Sequence, residues 1–157
     1  MNLEMLFFAS KMTGDRKYYD VAVKHADTTL ENHFRPDGSS YHVVSYNNDG
    51  SIESKGTFQG FAHESSWARG QAWTVYGYTM CYRETGDEKY LAQAEHIANY
   101  IMSAVQTEDK IPYWDYHDTA IPDVPRDASA AAVTASALLE LSTLTKDAEK
   151  SKVYVEY

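Results

Sequence analysis

A repeat with a period of 72 residues constrains the fold of this chain more than any other feature of its sequence. The segment TGDRKYYDVA at 13–22 returns as TGDEKYLAQA at 85–94. In both copies an apolar segment precedes the Thr-Gly-Asp turn, and apolar residues with helical spacing follow it. The glycine can end one helix in the left-handed conformation, and the aspartate can cap the next helix. Each copy therefore predicts two antiparallel helices joined by a tight turn.

A third helical pair is predicted near the end of the chain. The apolar run 130–144 leads to the turn Thr145-Lys146-Asp147, in which a lysine takes the place of the glycine. We predict helices at 9–14 with 15–33, at 67–84 with 87–105, and at 128–144 with 147 onward.

Successive helical hairpins indicate an all-α toroid of inner and outer helices. Three hairpins do not close such a ring. The sequence also begins within one apolar helical segment and stops within another, KSKVYVEY, whereas domain boundaries normally fall in polar linkers. We therefore expect residues 1–157 to be a fragment of a larger domain.

Two long connections, 34–66 and 106–126, separate the hairpins. Connections longer than about 12 to 15 residues are uncommon in compact domains and usually functional. The first connection alternates in polarity around 41–46 and contains an Asn-Asp-Gly turn at 48–50, which is consistent with a short β-hairpin. Both connections lead into the N-terminus of an apolar helix, so we expect them to gather at one end of the helical array.

Composition excludes several classes of function. The net charge is −9 and the 14 Lys and Arg residues form no run, which argues against nucleic-acid binding. No apolar stretch reaches the roughly 18 residues of a membrane span. The single cysteine, Cys81, has no partner for an internal disulfide, and its apolar neighbours predict a buried, inert thiol. The histidine spacing fits no zinc motif and no phosphate-binding glycine loop is present, so we predict neither a metal nor a cofactor.

The segment 65–78 places two tryptophans and an arginine where a loop meets a helix. Arg69 can bind a carboxylate through two parallel hydrogen bonds. It lies at the N-terminus of the predicted helix, where the helix dipole also favours an anion. The alternative is that Arg69 pairs with a neighbouring Asp or Glu, while Trp67 and Trp73 belong to the core.

Four further polar residues are candidates for roles at these connections. His42 lies on the first one, and its ordinary pKa near 6.5 suits hydrogen bonding or proton exchange, although a loop histidine can equally be a surface residue. His63 is open to the same two interpretations. Asp127 is interpreted as a helix cap, and Asp115 lies on the second connection.

Several segments, taken in order, resemble the second half of the unsaturated glucuronyl hydrolases, glycoside hydrolase family 88. They are Asn2-Leu3-Glu4-Met5-Leu6, Gly38-Ser39-Ser40-Tyr41-His42, Gln59-Gly60, Ser66-Trp67-Ala68-Arg69-Gly70-Gln71-Ala72-Trp73, Tyr113-Trp114-Asp115 and Pro125-Arg126-Asp127-Ala128-Ser129-Ala130. The resemblance implies an (α/α)6 barrel about twice as long as this chain. It also implies a reaction in which an aspartic acid protonates the C4=C5 bond of a terminal unsaturated uronate and water adds at C5.

The resemblance also implies the binding residues. His42, Gln59 and Arg69 would hold the sugar and its carboxylate, and Trp67 and Trp73 would form apolar walls. His42 would also have a supporting role in catalysis, next to the acid or the attacking water, without being the primary proton donor. The implied partner is an unsaturated uronate-containing oligosaccharide.

The resemblance places the catalytic acid a few residues before Asn2, upstream of Met1. We therefore expect this chain to be inactive alone. We also expect self-association, because opening a ring would expose inner-helix residues such as Leu3, Leu6 and Phe7.

Two alternatives stay open at this point. The sister family of unsaturated rhamnogalacturonyl hydrolases usually has Gly-Asn-Gly-Trp where this chain has Gly-Gln-Ala-Trp at 70–73, which favours the glucuronyl type. The other alternative is a non-catalytic, carbohydrate-binding helical module. His63 stands where relatives of the glucuronyl type often carry an acidic residue.

Overall fold

A computed structural model describes residues 3–157, which form six helices and one β-hairpin. Met1 and Asn2, at the start of the Asn-Leu-Glu segment, lie outside the described residues. The elements in chain order are α1 (Leu3–Thr13), α2 (Arg16–Asn32), β1 (Val43–Tyr46), β2 (Ile52–Gly56), α3 (Ala68–Thr85), α4 (Glu88–Ala104), α5 (Ala128–Leu144) and α6 (Ala148–Glu156). The prediction of an all-α fold made of three helical hairpins, with a short β-hairpin in the first connection, is confirmed. The first helix begins earlier than the predicted residue 9.

The two repeated turns have the predicted local structure. Gly14 and Gly86 have φ values of 71° and 68°, in the left-handed region that lacks a steric penalty only for glycine. The following aspartates, Asp15 and Asp87, accept hydrogen bonds from backbone N–H groups in the first turns of α2 and α4. The same ten-residue pattern therefore produces the same helix–turn–helix geometry twice.

The third turn, between α5 and α6, joins its two helices without a left-handed residue. Asp147 caps α6 by accepting hydrogen bonds from the N–H groups of Glu149 and Lys150. Thr145, which ends α5, is extended, with φ −63° and ψ 143°. Lys146 does not take up a positive φ, because a side chain with a Cβ is strained in the left-handed region. A lysine in place of glycine thus changes the turn and keeps the hairpin.

The helices form two rows. The first helices of the hairpins, α1, α3 and α5, lie side by side with α3 in the middle, and each second helix packs against its own partner. The main apolar core lies between the rows and includes Tyr78, Tyr90, Ile97, Leu138 and Leu141, all of them buried. This arrangement is a partial toroid. No helix within residues 3–157 combines the length and apolar character needed to cross a lipid bilayer.

At the end of α3 away from the long connections, Arg83 ties the first row together. Its guanidinium binds Glu4 on α1 and Glu140 on α5, each at 2.6 Å. Cys81 lies nearby in the core, where burial raises the pKa of its thiol to about 12. The prediction that Cys81 is buried is confirmed, and the raised pKa keeps its thiol in the less reactive protonated form.

The expected exposure of α1 was wrong in detail. Phe7 is only 2% exposed, because it packs edge-on against Tyr19 of α2 at a ring-centroid distance of 5.5 Å. Leu3 and Leu6 are partly buried against the same core. The exposed apolar face of α1 consists instead of Met5, Phe8 and Met12, which share one side of the helix and are each at least 59% exposed.

The β-hairpin projects from the first connection. Val43 to Tyr46 pair antiparallel with Ile52 to Gly56, with an irregularity at Ser45 and Tyr46. At the turn Asp49 accepts hydrogen bonds from the backbone N–H and hydroxyl of Ser51, and Gly50 has a φ of 86°. The predicted Asn-Asp-Gly turn therefore closes the hairpin.

Candidate functional site

The two long connections meet at the N-terminus of α3. The Ala68 N–H donates to the Trp114 carbonyl at 3.0 Å, and the Tyr116 N–H donates to the Ser66 carbonyl at 3.0 Å. Trp67 and Asp115 form a short antiparallel bridge. The prediction that the connections gather at one end of the helical array is confirmed.

Asp115 is the anchor between these connections. Its side chain is 0% exposed. One oxygen, Oδ2, accepts hydrogen bonds from the Phe61 N–H at 2.9 Å and from the Ser65 hydroxyl at 2.7 Å, and Oδ1 accepts from the His117 N–H at 2.9 Å. A buried carboxylate is tolerated where its oxygens are satisfied in this way. Asp115 therefore fixes residues 61–65 against the second connection.

Gln71 plays the same part between α3 and the first connection. Its side chain is fully buried. The amide oxygen accepts hydrogen bonds from both the N–H and the hydroxyl of Ser40, at 2.9 and 2.8 Å, and from the Ser66 hydroxyl at 3.1 Å. The amide nitrogen donates to the Gly38 carbonyl at 2.8 Å. Residues 38–40, which lead to His42, are thus held on α3.

The guanidinium of Arg69 faces Asp127. Its Nε and Nη2 atoms lie 3.1 and 3.0 Å from Asp127 Oδ2. The other oxygen, Oδ1, accepts a hydrogen bond from the Ala130 N–H and so caps α5. The prediction that Asp127 is a helix cap is confirmed. The pairing of Arg69 with a carboxylate, which was the structural alternative, is also present.

This ion pair leaves part of Arg69 available. Asp127 is 5% exposed, whereas the Arg69 side chain is 42% exposed. Only the Nε–Nη2 edge faces Asp127, and no group within residues 3–157 accepts a hydrogen bond from Nη1. Because a guanidinium has a second pair of donors along its Nη1–Nη2 edge, it can bind a ligand carboxylate there.

Aromatic rings border this arginine. The Arg69 Cζ lies 5.3 Å from the centre of the Trp67 ring, and the His42 ring lies 4.5 Å from the same tryptophan with a tilt of 38°. A Cβ at position 70 would lie 3.0 Å from the Trp67 ring, so this close packing requires Gly70. Trp73 follows Arg69 by one helical turn and is 39% exposed. Neither tryptophan is fully buried, in contrast to the alternative that both belong to the core.

The loop 57–60 lies against His42. The backbone N–H groups of Phe58 and Gln59 both approach His42 Nδ1 at 3.2 Å. The Gln59 side chain is exposed to solvent. Partial burial lowers the pKa of His42 below its usual value. His63 accepts a hydrogen bond from the Thr57 N–H at 3.2 Å, so it holds the start of the same loop.

The structure thus brings His42, Trp67, Arg69 and the backbone of Gln59 together, with Trp73 one turn further along α3. Residues 3–157 contain no group of three His, Cys, Asp or Glu side chains arranged to hold a metal ion.

Sequence analysis missed the supporting roles of Gln71 and Asp115. Gln71 carried a usable signal, because it stands among small and apolar residues that recur with helical spacing, at Ala68, Ala72 and Val75. A polar residue on an apolar helix face predicts a buried hydrogen-bonding role. For Asp115 no comparable signal exists, since its main partners lie 50 and 54 residues away.

This chain is similar to known glycosyl hydrolases. The family model described as Glycosyl hydrolase family 47 matches residues 39–157, and the chain is thereby a member of the glycosyl hydrolases that this model recognises. A protein of Formosa agariphila named "Unsaturated glucuronyl hydrolase" is 51% identical over 159 residues, which cover 100% of this chain and 39% of that protein. Along its whole length, the chain is similar to this unsaturated glucuronyl hydrolase.

Solved structures show the same similarity. An unsaturated glucuronyl hydrolase specific for heparin superposes with a TM-score of 0.94 at 51% identity, over 99% of this chain and 42% of that one. A variant of the Streptococcus agalactiae unsaturated glucuronyl hydrolase, in complex with dGlcA-GalNAc6S, superposes with a TM-score of 0.83 at 36% identity, over 98% of this chain and 41% of that one. The present chain therefore spans about two fifths of these unsaturated glucuronyl hydrolases.

The family number of the matching model differs from that of the family which the sequence resembles. The resemblance in the sequence pointed to family 88, whereas the matching model carries the number 47. The match to the family model does not include residues 1–38, which contain both α1 and α2. The Formosa agariphila protein, in contrast, matches the whole chain. The similarity to the unsaturated glucuronyl hydrolases thus extends over the whole of this chain, whereas the family model covers residues 39–157.

Proposed function

We propose that this chain supplies one wall of the sugar-binding site of an unsaturated glucuronyl hydrolase, as about half of an (α/α)6 barrel. The substrate is an oligosaccharide that ends in a C4=C5 unsaturated uronic acid. The observation that carries the proposal is the cluster of Arg69, Trp67 and His42, in which a half-exposed guanidinium lies beside an aromatic ring that an imidazole also contacts.

The cluster offers each kind of contact that this sugar needs. The free edge of Arg69 matches the planar carboxylate of the uronate, and Asp127 keeps the guanidinium in place from the other edge. Trp67 and Trp73 present aromatic surface to the apolar C–H faces of the sugar ring. His42 and Gln59 supply hydrogen bonds to its oxygens.

The proton that adds to C4 comes from an acid outside this chain. Among the carboxylates nearest the cluster, Asp115 accepts three hydrogen bonds and Asp127 binds both Arg69 and the end of α5. Neither presents a free acid toward a ligand. In the complete reaction, C4 takes a proton from an acid, water adds at C5, and the resulting hemiketal opens to release the rest of the oligosaccharide. We expect no turnover by residues 1–157 alone, since general acid catalysis typically supplies about 10²- to 10⁴-fold.

The ligands of two solved relatives support this substrate class. One solved relative is specific for heparin, and another was solved with dGlcA-GalNAc6S. Heparin and dGlcA-GalNAc6S are both of the glycosaminoglycan type. This supports an unsaturated glucuronyl hydrolase over an unsaturated rhamnogalacturonyl hydrolase. A non-catalytic module would bind the same disaccharides without turnover.

A chimaera provides the test. Residues 1–157 would replace the matching 159-residue segment of the Formosa agariphila protein. Turnover is measured as the loss of ultraviolet absorbance of the C4=C5 bond, with disaccharides derived from heparin, chondroitin and pectin. We expect activity on the first two. Binding without turnover, or turnover of the pectin product alone, would contradict the proposal.

Within this chimaera, Arg69→Lys keeps the positive charge but removes the planar guanidinium edge that can form two parallel hydrogen bonds with a carboxylate. We expect kcat/KM to fall about 5- to 150-fold, equivalent to roughly 1 to 3 kcal/mol for a charge-assisted hydrogen bond. Arg16→Lys, on the exposed surface of α2, is the matched control and should have no effect. A change of less than twofold at Arg69 would reassign it to a purely structural pair with Asp127.

We further propose that the isolated chain associates with a second copy through the exposed face of α1. Met5, Phe8 and Met12 line this face, and contiguous apolar surface of this kind marks an interface or an aggregation site. Light scattering should show a molar mass above that of the monomer. Phe8→Ser should lower it, whereas Val43→Ser, an exposed residue of the β-hairpin, should not. A monodisperse native monomer would refute the proposal.

A further inference from the structure

Three donor groups of the loop 57–60 approach one atom of His42. Nδ1 lies 3.2 Å from the Phe58 nitrogen, 3.2 Å from the Gln59 nitrogen and 3.2 Å from the Thr57 hydroxyl oxygen. The Thr57 oxygen itself accepts a hydrogen bond from the Gly60 N–H at 2.7 Å, so its own proton is free to point toward the imidazole.

These contacts decide which ring nitrogen carries the proton. A backbone N–H can only donate, and two of them converge on Nδ1. A proton on Nδ1 would meet both of these N–H groups head-on. The ring therefore has its lone pair at Nδ1 and its proton at Nε2, in the neutral state. Burial of the ring acts in the same direction, since it lowers the pKa of His42.

The other ring nitrogen faces away from this loop. No group within residues 3–157 accepts a hydrogen bond from Nε2, and the ring is held in place by its contact with Trp67. A fixed N–H without a protein acceptor, beside the aromatic wall of the cluster, is placed to bind an oxygen of a ligand.

We propose that His42 is a locked hydrogen-bond donor, which binds a sugar oxygen through Nε2–H and takes up no proton during the reaction. The identity of its acceptor as a sugar rests on the function proposed above, whereas the tautomer rests on the loop contacts alone. The resemblance implies a supporting role in catalysis for this residue, through either hydrogen bonding or proton exchange. The geometry selects the first, because Nε2 has no lone pair to offer and Nδ1 is already occupied.

The same arrangement recurs at two other histidines, which makes the tautomer testable within one molecule. His63 Nδ1 accepts from the Thr57 N–H at 3.2 Å, and His117 Nδ1 accepts from the Ser66 N–H at 3.1 Å. Nuclear magnetic resonance of this chain, labelled with ¹⁵N-histidine, should show His42 as a neutral Nε2–H ring at pH 7. The matching contacts predict the Nε2–H tautomer for the neutral forms of His63 and His117. His42→Asn identifies the His42 signals. An Nδ1–H ring or an imidazolium at His42 would overturn the proposal.

The role is tested by kinetics of the chimaera. In His42→Asn, the side-chain oxygen can replace Nδ1 as acceptor for the loop, while the Nε2 donor is lost. A lost binding donor should raise KM about tenfold and leave kcat within about threefold. A lost proton acceptor should instead lower kcat by about 10²-fold or more, and that result would overturn the proposal.

Two controls separate the possible failures. Asn47→Gln, at an exposed position of the β-hairpin turn, is the control and should leave both constants unchanged. If the chimaera with His42 intact has no activity on any unsaturated disaccharide, the proposed function fails, and the sugar as the acceptor of Nε2–H fails with it. The resonance measurement still decides the tautomer in that case.

Discussion

The helical hairpins and the long connections of this chain are stabilised by different chemistry. Between the hairpins, apolar side chains such as Tyr90, Ile97 and Leu141 are buried against each other. Between the connections, the buried groups are polar, and Asp115 and Gln71 each satisfy several backbone or hydroxyl groups. Apolar packing is non-directional, whereas hydrogen bonds fix orientation. The helices therefore carry the stability of the fold, and the connections carry the precise placement of the candidate site.

The largest expected effect tests whether the apolar core between the helices carries the stability of the fold. Ile97→Ala removes a fully buried side chain from α4, and the free energy of unfolding should fall by about 2 to 5 kcal/mol. Ile52→Ala, in the β-hairpin where the side chain is 41% exposed, is the matched control and should cost less than about 0.5 kcal/mol. Urea unfolding of the chain measures both. Equal losses would mean that the hairpin is part of the same core.

An intermediate effect tests the connections. Asp115→Ala leaves three donors without their acceptor, at a local cost of about 1 to 3 kcal/mol. Limited proteolysis within 57–66 should accelerate roughly 5- to 150-fold, while the helices unfold at nearly the same urea concentration. Asp123→Ala, an exposed position on the same connection, should change neither. Should the Asp115 variant lose its helical structure as well, the two regions would not be separable.

The smallest expected effect compares the two copies of the repeated turn. A Cβ added at Gly14 or Gly86 meets no atom within 4 Å, so an alanine is strained only by its positive φ. Each substitution should lower the free energy of unfolding by about 1 kcal/mol. Lys146→Gly in the third turn should bring no gain, because that turn uses no left-handed residue. A clear stabilisation there would show that the third turn tends toward the geometry of the other two.

The candidate site could be predicted from the sequence only in part. The residues at the start of α3 were identified because two tryptophans flank an arginine within seven positions. Their partners were not. Arg69 meets Asp127 across 58 positions, and Gln71 meets Ser40 across 31. No periodicity relates such residues, since loops bring them together.

The sequence by itself determined the helices, their caps and the repeated turns. These depend on interactions among residues a few positions apart. The repeated segments TGDRKYYDVA and TGDEKYLAQA each contain the residues that make them. Only the tertiary structure decided which face of α1 is buried, which carboxylate Arg69 meets and which nitrogen of His42 carries the proton. Each of these depends on groups from distant segments, and a hydrogen bond is made or lost over a fraction of an ångström that no local pattern specifies.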